Sequence, residues 1–246
     1  MLNKIHHGDC LEVMKDIPDK SVDMILCDLP YGTTACKWDT IIPFEPLWEQ
    51  YERVIKDNGA IVLTASQPFT SSLVMSNPRM FKYEWIWIKN RATGHLNAKI
   101  MPMKSHENIV VFCKKKTVYN PQKTKGKPYK KTPSTNTYKG YGNHQPVYQD
   151  NNGFRYPKTP LEFDSEQNEF HPTQKPVALF EYLIKTYTNE GETVLDNCIG
   201  SGTTAIASLN TGRYFIGIEK DEQYHKIACE RVANWHDEQG LFKVTS

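Results

Sequence analysis

The stretch 192–219 constrains the fold of this chain more than any other. It contains a short apolar run that ends at Asp196, a turn with two glycines, and a second apolar run that ends at Glu219. Between the turn and the second run, residues 203–209 predict a helix whose first turn carries hydroxyl groups. The order strand, glycine turn, helix, strand, with an acid at the end of each strand, is typical of a sheet that binds a nucleotide-type cofactor.

Three interpretations fit this turn. The pattern from Gly200 through Gly202 to Ala205 matches the dinucleotide fingerprint, which leaves a nicotinamide enzyme open. Asp196 would repel a pyrophosphate but suits an ammonium group, which favours S-adenosylmethionine, with Glu219 placed to bind ribose hydroxyls. The third interpretation is a packing turn with surface acids.

The position of the turn predicts the order of the fold. Only 27 residues follow Glu219, so most strands of an α/β sheet must come from earlier in the chain. The predicted strands are 4–7, 21–27, 60–64, 83–89, 108–113, 193–196 and 214–219. The predicted helices are 10–16, 44–56 (ended by Asn58-Gly59), 68–75, 177–187, 203–209 and 221–235. We therefore predict a seven-stranded, mostly parallel α/β sheet with one antiparallel partner among the strands 83–89 and 108–113.

Length and cysteine usage narrow the class of protein. A chain of 246 residues is long enough for one domain with an insertion. It has no signal pattern and no apolar run of membrane-spanning length, so we expect a cytoplasmic protein that does not bind a membrane. The six cysteines form no C-x-x-C pair, which predicts buried free thiols and no metal site.

The charge of the chain is concentrated in one segment. Residues 114–149 contain nine lysines, several interleaved tyrosines and no acid, although the net charge of the whole chain is only +2. Lysines neutralise phosphates and tyrosines stack on bases, so this composition indicates a DNA or RNA face, the alternative being a solvated, disordered loop. The candidate DNA-binding residues are Lys114, Lys115, Lys116, Lys123, Lys125, Lys127, Lys130, Lys131 and Tyr138.

The segment 114–170 shows no sustained helical or strand period. We therefore predict a target-recognition insertion over 114–170 between two parts of one sheet, residues 1–113 and 171–246.

Residues 28–31 carry the candidate chemistry. Asp28 ends a predicted buried strand, as Asp196 and Glu219 do, so the three acids are expected to converge at one edge of the sheet. Pro30 restricts the backbone and sets the direction of the Leu29 carbonyl. A carboxylate and a rigid carbonyl give two acceptors for an exocyclic amino group, and the Tyr31 ring can stack on a base.

Such acceptors suit methylation of an amino group on a base. The amino lone pair of adenine or cytosine is delocalised into the ring, and two acceptors favour a pyramidal nitrogen whose lone pair points at the methyl group. Asp28 would stabilise the positive charge that develops on nitrogen, and no cysteine nucleophile is needed.

Taken together, these stretches resemble the amino-methylating DNA methyltransferases, which modify adenine N6 or cytosine N4, in the permuted beta order of motifs. In that order the catalytic motif comes first, a target-recognition region follows and the cofactor motif comes last. The matching stretches span nearly the whole chain: Gly8-Asp9 before Cys10, Asp28-Leu-Pro-Tyr31, 105–112, His171-Pro-Thr-Gln-Lys-Pro176, 196–204 and Glu219.

The resemblance implies roles for single residues. Asp28, Leu29, Pro30 and Tyr31 would form the catalytic motif, and Asp9 would hold the amino group of the cofactor adenine. Four residues would lie near the methionine end of the cofactor: His171, Thr173, Ser201 and Thr203. The full set of expected cofactor-binding residues is Asp9, Cys10, Asp28, His171, Thr173, Asp196, Gly200, Ser201, Gly202, Thr203 and Glu219.

The chain departs from the family pattern at two places. Leu29 replaces the usual first proline, and its carbonyl is the group that acts. Asn197-Cys198 replaces the usual Pro-Phe and removes an aromatic ring that packs near the cofactor. An acid at position 28 is similar to adenine-N6 members, whereas cytosine-N4 members more often carry serine there.

The resemblance therefore implies the Rossmann-like sheet of the S-adenosylmethionine-dependent methyltransferases and adenine-N6 methylation of double-stranded DNA, as in restriction-modification. It also allows a homodimer and a cognate restriction endonuclease as partners. The alternatives are a cytosine-N4 enzyme, a non-enzymatic DNA-binding relative that keeps the fold, and the nicotinamide oxidoreductase.

Overall fold

The computed structural model describes residues 1–32, 39–131, 149–165 and 174–238. The chain divides into two compact units. The first, here called the sheet unit, comprises Met1–Asn120 and Thr159–Ser246, and the second, the inserted unit, comprises Pro121–Lys158. The inserted unit is thus narrower than the predicted insertion 114–170.

The secondary structure alternates between strands and helices through most of the sheet unit. The strands are β1 (Lys4–His7), β2 (Val22–Asp28), β3 (Ile55–Ala65), β4 (Phe81–Thr93), β5 (Lys104–Phe112), β6 (Thr124–Lys125), β7 (Tyr129–Lys131), β8 (Gln149–Asn151), β9 (Phe154–Arg155), β10 (Pro160–Glu162), β11 (Thr193–Asp196) and β12 (Tyr214–Glu219). The α-helices are α1 (Cys10–Val13), α2 (Phe44–Val54), α3 (Phe69–Ser76), α4 (Val177–Tyr187), α5 (Thr203–Asn210) and α6 (Glu222–Glu238), with 3-10 turns at Met14–Asp16 and His95–Asn97.

The central sheet has the strand order β1-β12-β11-β2-β3-β5-β4-β10. Strand β5 pairs antiparallel with both of its neighbours, and the other pairings are parallel. The prediction of a mostly parallel sheet with one antiparallel strand among 83–89 and 108–113 is confirmed. The number of strands was wrong, because the eighth strand, β10, has only three residues and buries only Leu161, which is too short to give a period.

Both faces of the sheet are buried, as expected of parallel strands flanked by helices. Along β2, Ile25 and Cys27 pack on the face that α2 and α3 cover. The alternating residues Met24 and Leu26 pack on the opposite face, against α4. Because both faces are covered, strands such as β2 are apolar at successive positions and do not alternate between apolar and polar residues. Among the described residues, no helix is both long and apolar enough to cross a membrane.

The boundary between α2 and β3 differs from the prediction. The helix ends at Val54 and β3 starts at Ile55, so Asn58-Gly59 lies inside the strand instead of ending the helix. The pairing of β3 with β2 is irregular here, and a Cβ on Gly59 would lie 2.7 Å from the Asp23 carbonyl oxygen. Glycine is therefore needed at this position because two backbones approach each other closely. From the sequence alone, such a glycine looks the same as one that ends a helix.

The carboxyl ends of the parallel strands meet at one side of the sheet, here called the carboxyl edge. Asp28, Asp196 and Glu219 are the last residues of β2, β11 and β12. These three strands are consecutive in the sheet. The fold thus brings residues from both ends of the chain to the same place.

Candidate functional site

A cavity of about 560 Å³ lies at the carboxyl edge, a size typical of small-molecule sites. It is lined by the loops that follow β1, β2, β11 and β12, and by residues just before α4. The predicted catalytic and cofactor-binding residues that line it are Asp9, Cys10, Asp28, Leu29, Pro30, Tyr31, Asp196, Gly200, Ser201, Thr203 and Glu219. Gly202 immediately precedes α5, and His171 and Thr173 lie outside the described residues.

The glycine turn is tied to the end of β12. Gly200 and Gly202 have φ angles of 53° and 90°, which glycine adopts without strain. The Gly200 N–H donates to Glu219 Oε2 at 2.8 Å, and the Asp221 N–H donates to Glu219 Oε1 at 2.8 Å. A Cβ on Gly202 would lie 3.2 Å from the Cβ of Ala228, so this glycine also lets α5 pack closely against α6. The carboxylate of Glu219 is therefore held in a fixed orientation, and each of its oxygens keeps further acceptor capacity.

Asp196 is a buried acid below the glycine turn. Its side chain accepts hydrogen bonds from the Cys198 N–H at 3.0 Å and from the Thr204 hydroxyl. Burial nevertheless raises the pKa of Asp196 to about 7, because removal from water disfavours the charged carboxylate. A cationic ligand group beside this carboxyl would offset that cost, so the site favours a ligand with an ammonium group.

Asp9 lies on the other side of the cavity. Its side chain caps α1 by accepting from the Leu11 N–H at 3.0 Å, and its second oxygen lies 3.0 Å from Lys220 Nζ. The hydrogen bond from Lys220 is the main cause that lowers the pKa of Asp9. This acid is therefore ionised at neutral pH and is a strong hydrogen-bond acceptor at the cavity rim.

Asp28 makes the densest set of contacts in the cavity. Its Oδ1 accepts from the Tyr31 hydroxyl at 2.8 Å and from the Thr64 hydroxyl, and its Oδ2 accepts from Lys175 Nζ at 2.6 Å. Within the described residues, no hydrogen bond uses the Leu29 carbonyl, although Leu29 lines the cavity. The site thus combines a firmly held carboxylate with a carbonyl acceptor that remains available.

A chain of buried charges supports Asp28. Lys175 is only 6% exposed, and its Nζ lies 3.3 Å from Glu107 Oε2 as well as against Asp28. Glu107 in turn pairs with Lys89 at 2.5 Å. Burial would lower the pKa of Lys175, but the carboxylates of Asp28 and Glu107 outweigh it and raise that pKa. Lys175 therefore stays charged, and removing either partner would leave a buried charge uncompensated.

Tyr31 forms a wall of the cavity beside Asp28. Its ring stacks on Phe69, with ring centroids 5.3 Å apart, and Lys175 Nζ lies 5.7 Å from the ring centre. Burial raises the pKa of Tyr31, so its hydroxyl keeps the proton that it donates to Asp28. The sequence predicts a Tyr31 ring that can stack on a base. In the structure its hydroxyl is hydrogen-bonded to Asp28, and one side of the ring packs against Phe69.

Three thiols lie together under the cavity. Cys198 interacts with both Cys10 and Cys27. Burial raises the pKa of Cys27 to about 12, and hydrogen bonding with Cys198, followed by burial, raises that of Cys10. These thiols are therefore protonated at neutral pH and are poor nucleophiles. This agrees with chemistry at an amino group, which needs no thiolate, and all five described cysteines are free thiols as predicted.

Lys175 and Thr64 were missed by sequence reasoning. Lys175 belongs to the quoted stretch His171–Pro176, in which only positions 171 and 173 received roles. Thr64 ends the predicted strand 60–64 and pairs with Asp28 in the sheet. A polar residue at the end of a predicted buried strand, next to a strand that ends in an acid, was the available signal.

The DNA contacts of Lys114, Lys115 and Lys116 stay a prediction, but these lysines lie away from the cavity. These lysines follow β5, which is antiparallel and ends at the edge opposite the cavity. Lys115 pairs with Asp57 at 2.8 Å, and Lys114 donates to the Glu52 carbonyl. These three lysines are the first of the lysine-rich segment, but they belong to the sheet unit and lie at the edge opposite the carboxyl edge.

The inserted unit presents the other lysines. Its strands form two antiparallel pairs, β6 with β9 and β7 with β8. Lys123 lies over the Tyr156 ring at 4.5 Å, and Arg155 lies over the Tyr129 ring at 4.6 Å. The predicted lysines with exposed side chains here are Lys123, Lys125, Lys127 and Lys130. Lys131 is the last residue of β7, and Tyr138 lies outside the described residues.

Comparisons with known proteins agree on one family. The family model described as DNA methylase, for N6 and N4 methyltransferases, matches residues 22–230. The chain is 31% identical over 264 residues to the DNA adenine methyltransferase YhdJ of Escherichia coli K12, covering 98% of this chain and 86% of that protein. It is 29% identical over 262 residues to the type II methyltransferase M.BglII of Bacillus subtilis, covering 98% and 72%. The crystal structure of the M1.HpyAVI–SAM complex has a TM-score of 0.66 and 28% identity, covering 93% of this chain and 98% of that one.

Proposed function

Because the chain belongs to the family of amino-methylating DNA methyltransferases, we propose that it methylates the N6 amino group of adenine in double-stranded DNA. Its cofactor is S-adenosylmethionine, which supplies the methyl group. The residues 28, 29, 30 and 31 act on the base, and the acids around the glycine turn hold the cofactor. The carboxylate of Asp28, which buried Lys175 holds beside an available carbonyl, is the observation that carries the proposal.

The residues of the cavity fit this cofactor. Asp196 would meet the cofactor's ammonium group, since its burial makes the carboxyl favour a cation. Glu219 would accept from the ribose hydroxyls, because its two oxygens are oriented by backbone N–H groups at the end of β12. Asp9 would accept from the adenine amino group at the rim. Cys10, Gly200, Ser201 and Thr203 complete the proposed lining, and His171 and Thr173 remain expected contacts near the methionine end.

The chemistry on the base follows from two acceptors. The base must leave the duplex stack to reach Asp28, which lies in a cavity rather than on a flat surface. Asp28 and the Leu29 carbonyl would accept the two protons of the amino group, so that its lone pair points towards the methyl donor. As the new N–C bond forms and the S–CH₃ bond of the sulfonium breaks, the neutral thioether S-adenosylhomocysteine would leave, and the carboxylate would stabilise the positive charge that develops on nitrogen. Transfer of one amino proton to solvent would then leave a neutral N-methyl base.

The substrate amino group would use Oδ2 of Asp28. Among the described residues, this oxygen accepts only from Lys175 and keeps acceptor capacity, whereas Oδ1 already accepts from the hydroxyls of Tyr31 and Thr64. Phe69 packs against the Tyr31 ring, and the base would stack on the face opposite Phe69.

Adenine rather than cytosine is supported by residue 28. An acid here resembles the adenine-N6 members of the family, and a relative that is 31% identical is named a DNA adenine methyltransferase. Cytosine-N4 methylation is the second candidate, since the family model covers both reactions.

The proposal extends to the partners of the protein. The exposed lysines of the inserted unit would bind phosphates and its exposed rings would contact bases, which makes it the target-recognition segment. A relative is named a type II methyltransferase, which supports a role in restriction-modification beside a cognate endonuclease. A homodimer would present two such units to the duplex.

The test is transfer of a labelled methyl group from S-adenosylmethionine to unmethylated plasmid DNA. Asp28→Ala should lower turnover by about a hundredfold or more, because a preorganised partner of developing charge is lost. The matched control is Asp57→Ala, an acid of β3 that lies away from the cavity and pairs with Lys115. Equal turnover of the two variants would show that Asp28 is not the catalytic acid, and binding of S-adenosylmethionine by both variants would show that their folds are intact.

A further inference from the structure

The loop between β4 and β5, residues 94–103, carries an exposed apolar cluster. Leu96 is 88% exposed, Ile100 78% and Met101 53%. Three large apolar side chains within six positions are unusual on a surface that only meets water. This loop, here called the β4–β5 tip, has no part in the site described above.

The backbone conformation of the loop keeps these apolar side chains exposed. Gly94 has a φ of 89° and starts a 3-10 turn at His95–Asn97. The N–H groups of Ile100 and Met101 both donate to the Asn97 carbonyl, at 2.9 and 3.0 Å. The backbone therefore turns twice in succession and points the apolar side chains outward, instead of folding them against the sheet.

The strand register places the β4–β5 tip beyond the carboxyl edge. One row of paired residues crosses the sheet from β2 to β4: Asp28, Thr64, Ile109 and Trp85. Strand β4 runs parallel to β2 and continues eight residues past this row, to Thr93. Because β4 is irregular between Ile88 and Thr93, Thr93 pairs with Lys104, which lies only five residues from Ile109 along β5. At about 3.3 Å per residue along β5, the paired part of the hairpin extends up to about 17 Å beyond the level of Asp28. It projects beyond the carboxyl edge, the same edge of the sheet at which the cavity lies.

The charge around the β4–β5 tip fits a polyanion. The stretch from residue 85 to residue 106 contains no acid. Arg91, Lys99 and Lys104 are in or beside the loop, and none of them forms an ion pair within the described part of the chain. Burial lowers the pKa of Lys104, the carboxylate of Glu107 opposes this change, and the charges of Lys89 and Lys175 add to it.

We propose that the β4–β5 tip is a wedge that enters duplex DNA beside the target base. Lys99 and Arg91 would contact phosphates, and Leu96 or Ile100 would fill the space in the stack that the departing base leaves. Apolar side chains inserted between base steps stabilise such openings, and unstacking costs a few kcal/mol per step. This inference rests on the proposed function, because it needs a base that leaves the duplex.

The test compares matched substitutions at the two ends of the sheet. Leu96→Ser and Met101→Ser change the β4–β5 tip. Their controls are Leu2→Ser and Met75→Ser, in exposed residues that precede β1 and end α3, at the opposite edge. Each pair makes the same chemical change on an exposed side chain, so effects on folding should be equal and small. The measurements are kcat/KM for unmethylated plasmid DNA, KM for S-adenosylmethionine, and the molecular mass in solution by sedimentation.

The wedge predicts that Leu96→Ser, and Leu96→Ser with Met101→Ser more strongly, lower kcat/KM for the plasmid by about tenfold or more. KM for S-adenosylmethionine and the solution mass should stay unchanged, and both controls should match the unsubstituted protein. Full activity of the double variant would overturn the proposal. A change in solution mass would overturn it in favour of contact with a second copy of this chain. If the unsubstituted protein transfers no methyl group to DNA, the proposed function fails instead.

Discussion

At the scale of single residues, the pKa of Asp196 links the cofactor site to a measurable pH dependence. The buried carboxyl has a pKa of about 7 in the folded protein, against an ordinary value of 3.8. Below pH 7 it is therefore protonated in the free protein, and binding of an ammonium group must expel that proton. Above pH 7 the carboxylate is already charged and no proton is released.

This gives a prediction for cofactor binding. Affinity for S-adenosylmethionine should rise as the pH is raised from about 5.5 to about 7.5, and binding at the lower pH should release a proton. Titration calorimetry in buffers of different ionisation enthalpy measures both quantities. In Asp196→Asn the affinity should be lower and nearly independent of pH over this range. A pH dependence that survives the substitution would assign the titration to another group.

The same pKa has a consequence for stability. A carboxyl whose pKa is raised by folding binds its proton more tightly in the folded state, so it costs stability as the pH rises from about 4 to about 7 and adds no further change above that. The Asp196→Asn variant should therefore lose less of its stability than the unsubstituted protein over this window. The buried carboxylate of Asp196 therefore lowers the stability of the protein without a ligand.

How far single residues could be predicted from the sequence depends on the range of their contacts. Asp28, Asp196 and Glu219 were predictable because each ends a recognisable apolar strand, and parallel strands bring their ends together. The contact of Lys175 with Asp28 joins residues 147 positions apart, and that of Glu107 with Lys89 needs the antiparallel register of β4 and β5. No local sequence pattern indicates contacts between residues so far apart in the sequence, so the chain of buried charges could be identified only from the fold.

At the scale of elements, the proposed DNA binding by the inserted unit and the proposed cofactor binding by the sheet unit can be tested separately. The exposed lysines Lys123, Lys125 and Lys127 should contact phosphates, and each phosphate that is neutralised releases counterions. Alanine at all three positions should therefore flatten the dependence of DNA affinity on salt, by about 0.9 in log–log slope for each phosphate that is no longer neutralised. Affinity for S-adenosylmethionine should not change, because its proposed binding residues belong to the sheet unit.

A matched control is available within the same lysine-rich stretch. Alanine at Lys114, Lys115 and Lys116 removes the same charge from the edge of the sheet unit opposite the cavity. Fluorescence anisotropy with a labelled duplex at several salt concentrations would compare the two triple variants. An equal reduction of the slope in both would mean that net charge, and not the inserted unit, governs binding to DNA.

The elements themselves were largely predictable, and the exceptions have physical causes. The apolar runs of the long strands and helices were found within a few residues. Strand β10 was missed because three residues at a sheet edge carry almost no pattern. The start of β3 was missed because Gly59 serves a close approach of two backbones, whereas Asn-Gly at the end of an amphipathic pattern is typical of a helix stop.

At the scale of the whole molecule, the sheet joins the two ends of the chain. Strand β11 pairs with β2 although about 170 residues separate them in sequence, and β12 pairs with β1. The catalytic acid and the glycine turn are thus neighbours in space and distant in sequence. The sequence could predict this arrangement because both strands end in acids, Asp28 and Asp196.

The most direct test of the central claim is the identity of the methylated nucleoside. The purified protein would be incubated with S-adenosylmethionine and unmethylated double-stranded DNA, and the DNA digested and analysed by mass spectrometry. The account predicts N6-methyldeoxyadenosine, whose rate of formation Asp28→Ala should lower by about a hundredfold or more and Asp57→Ala should leave unchanged. N4-methyldeoxycytidine in its place would contradict the assignment to adenine, and the absence of both methylated nucleosides would contradict the assignment of the activity itself.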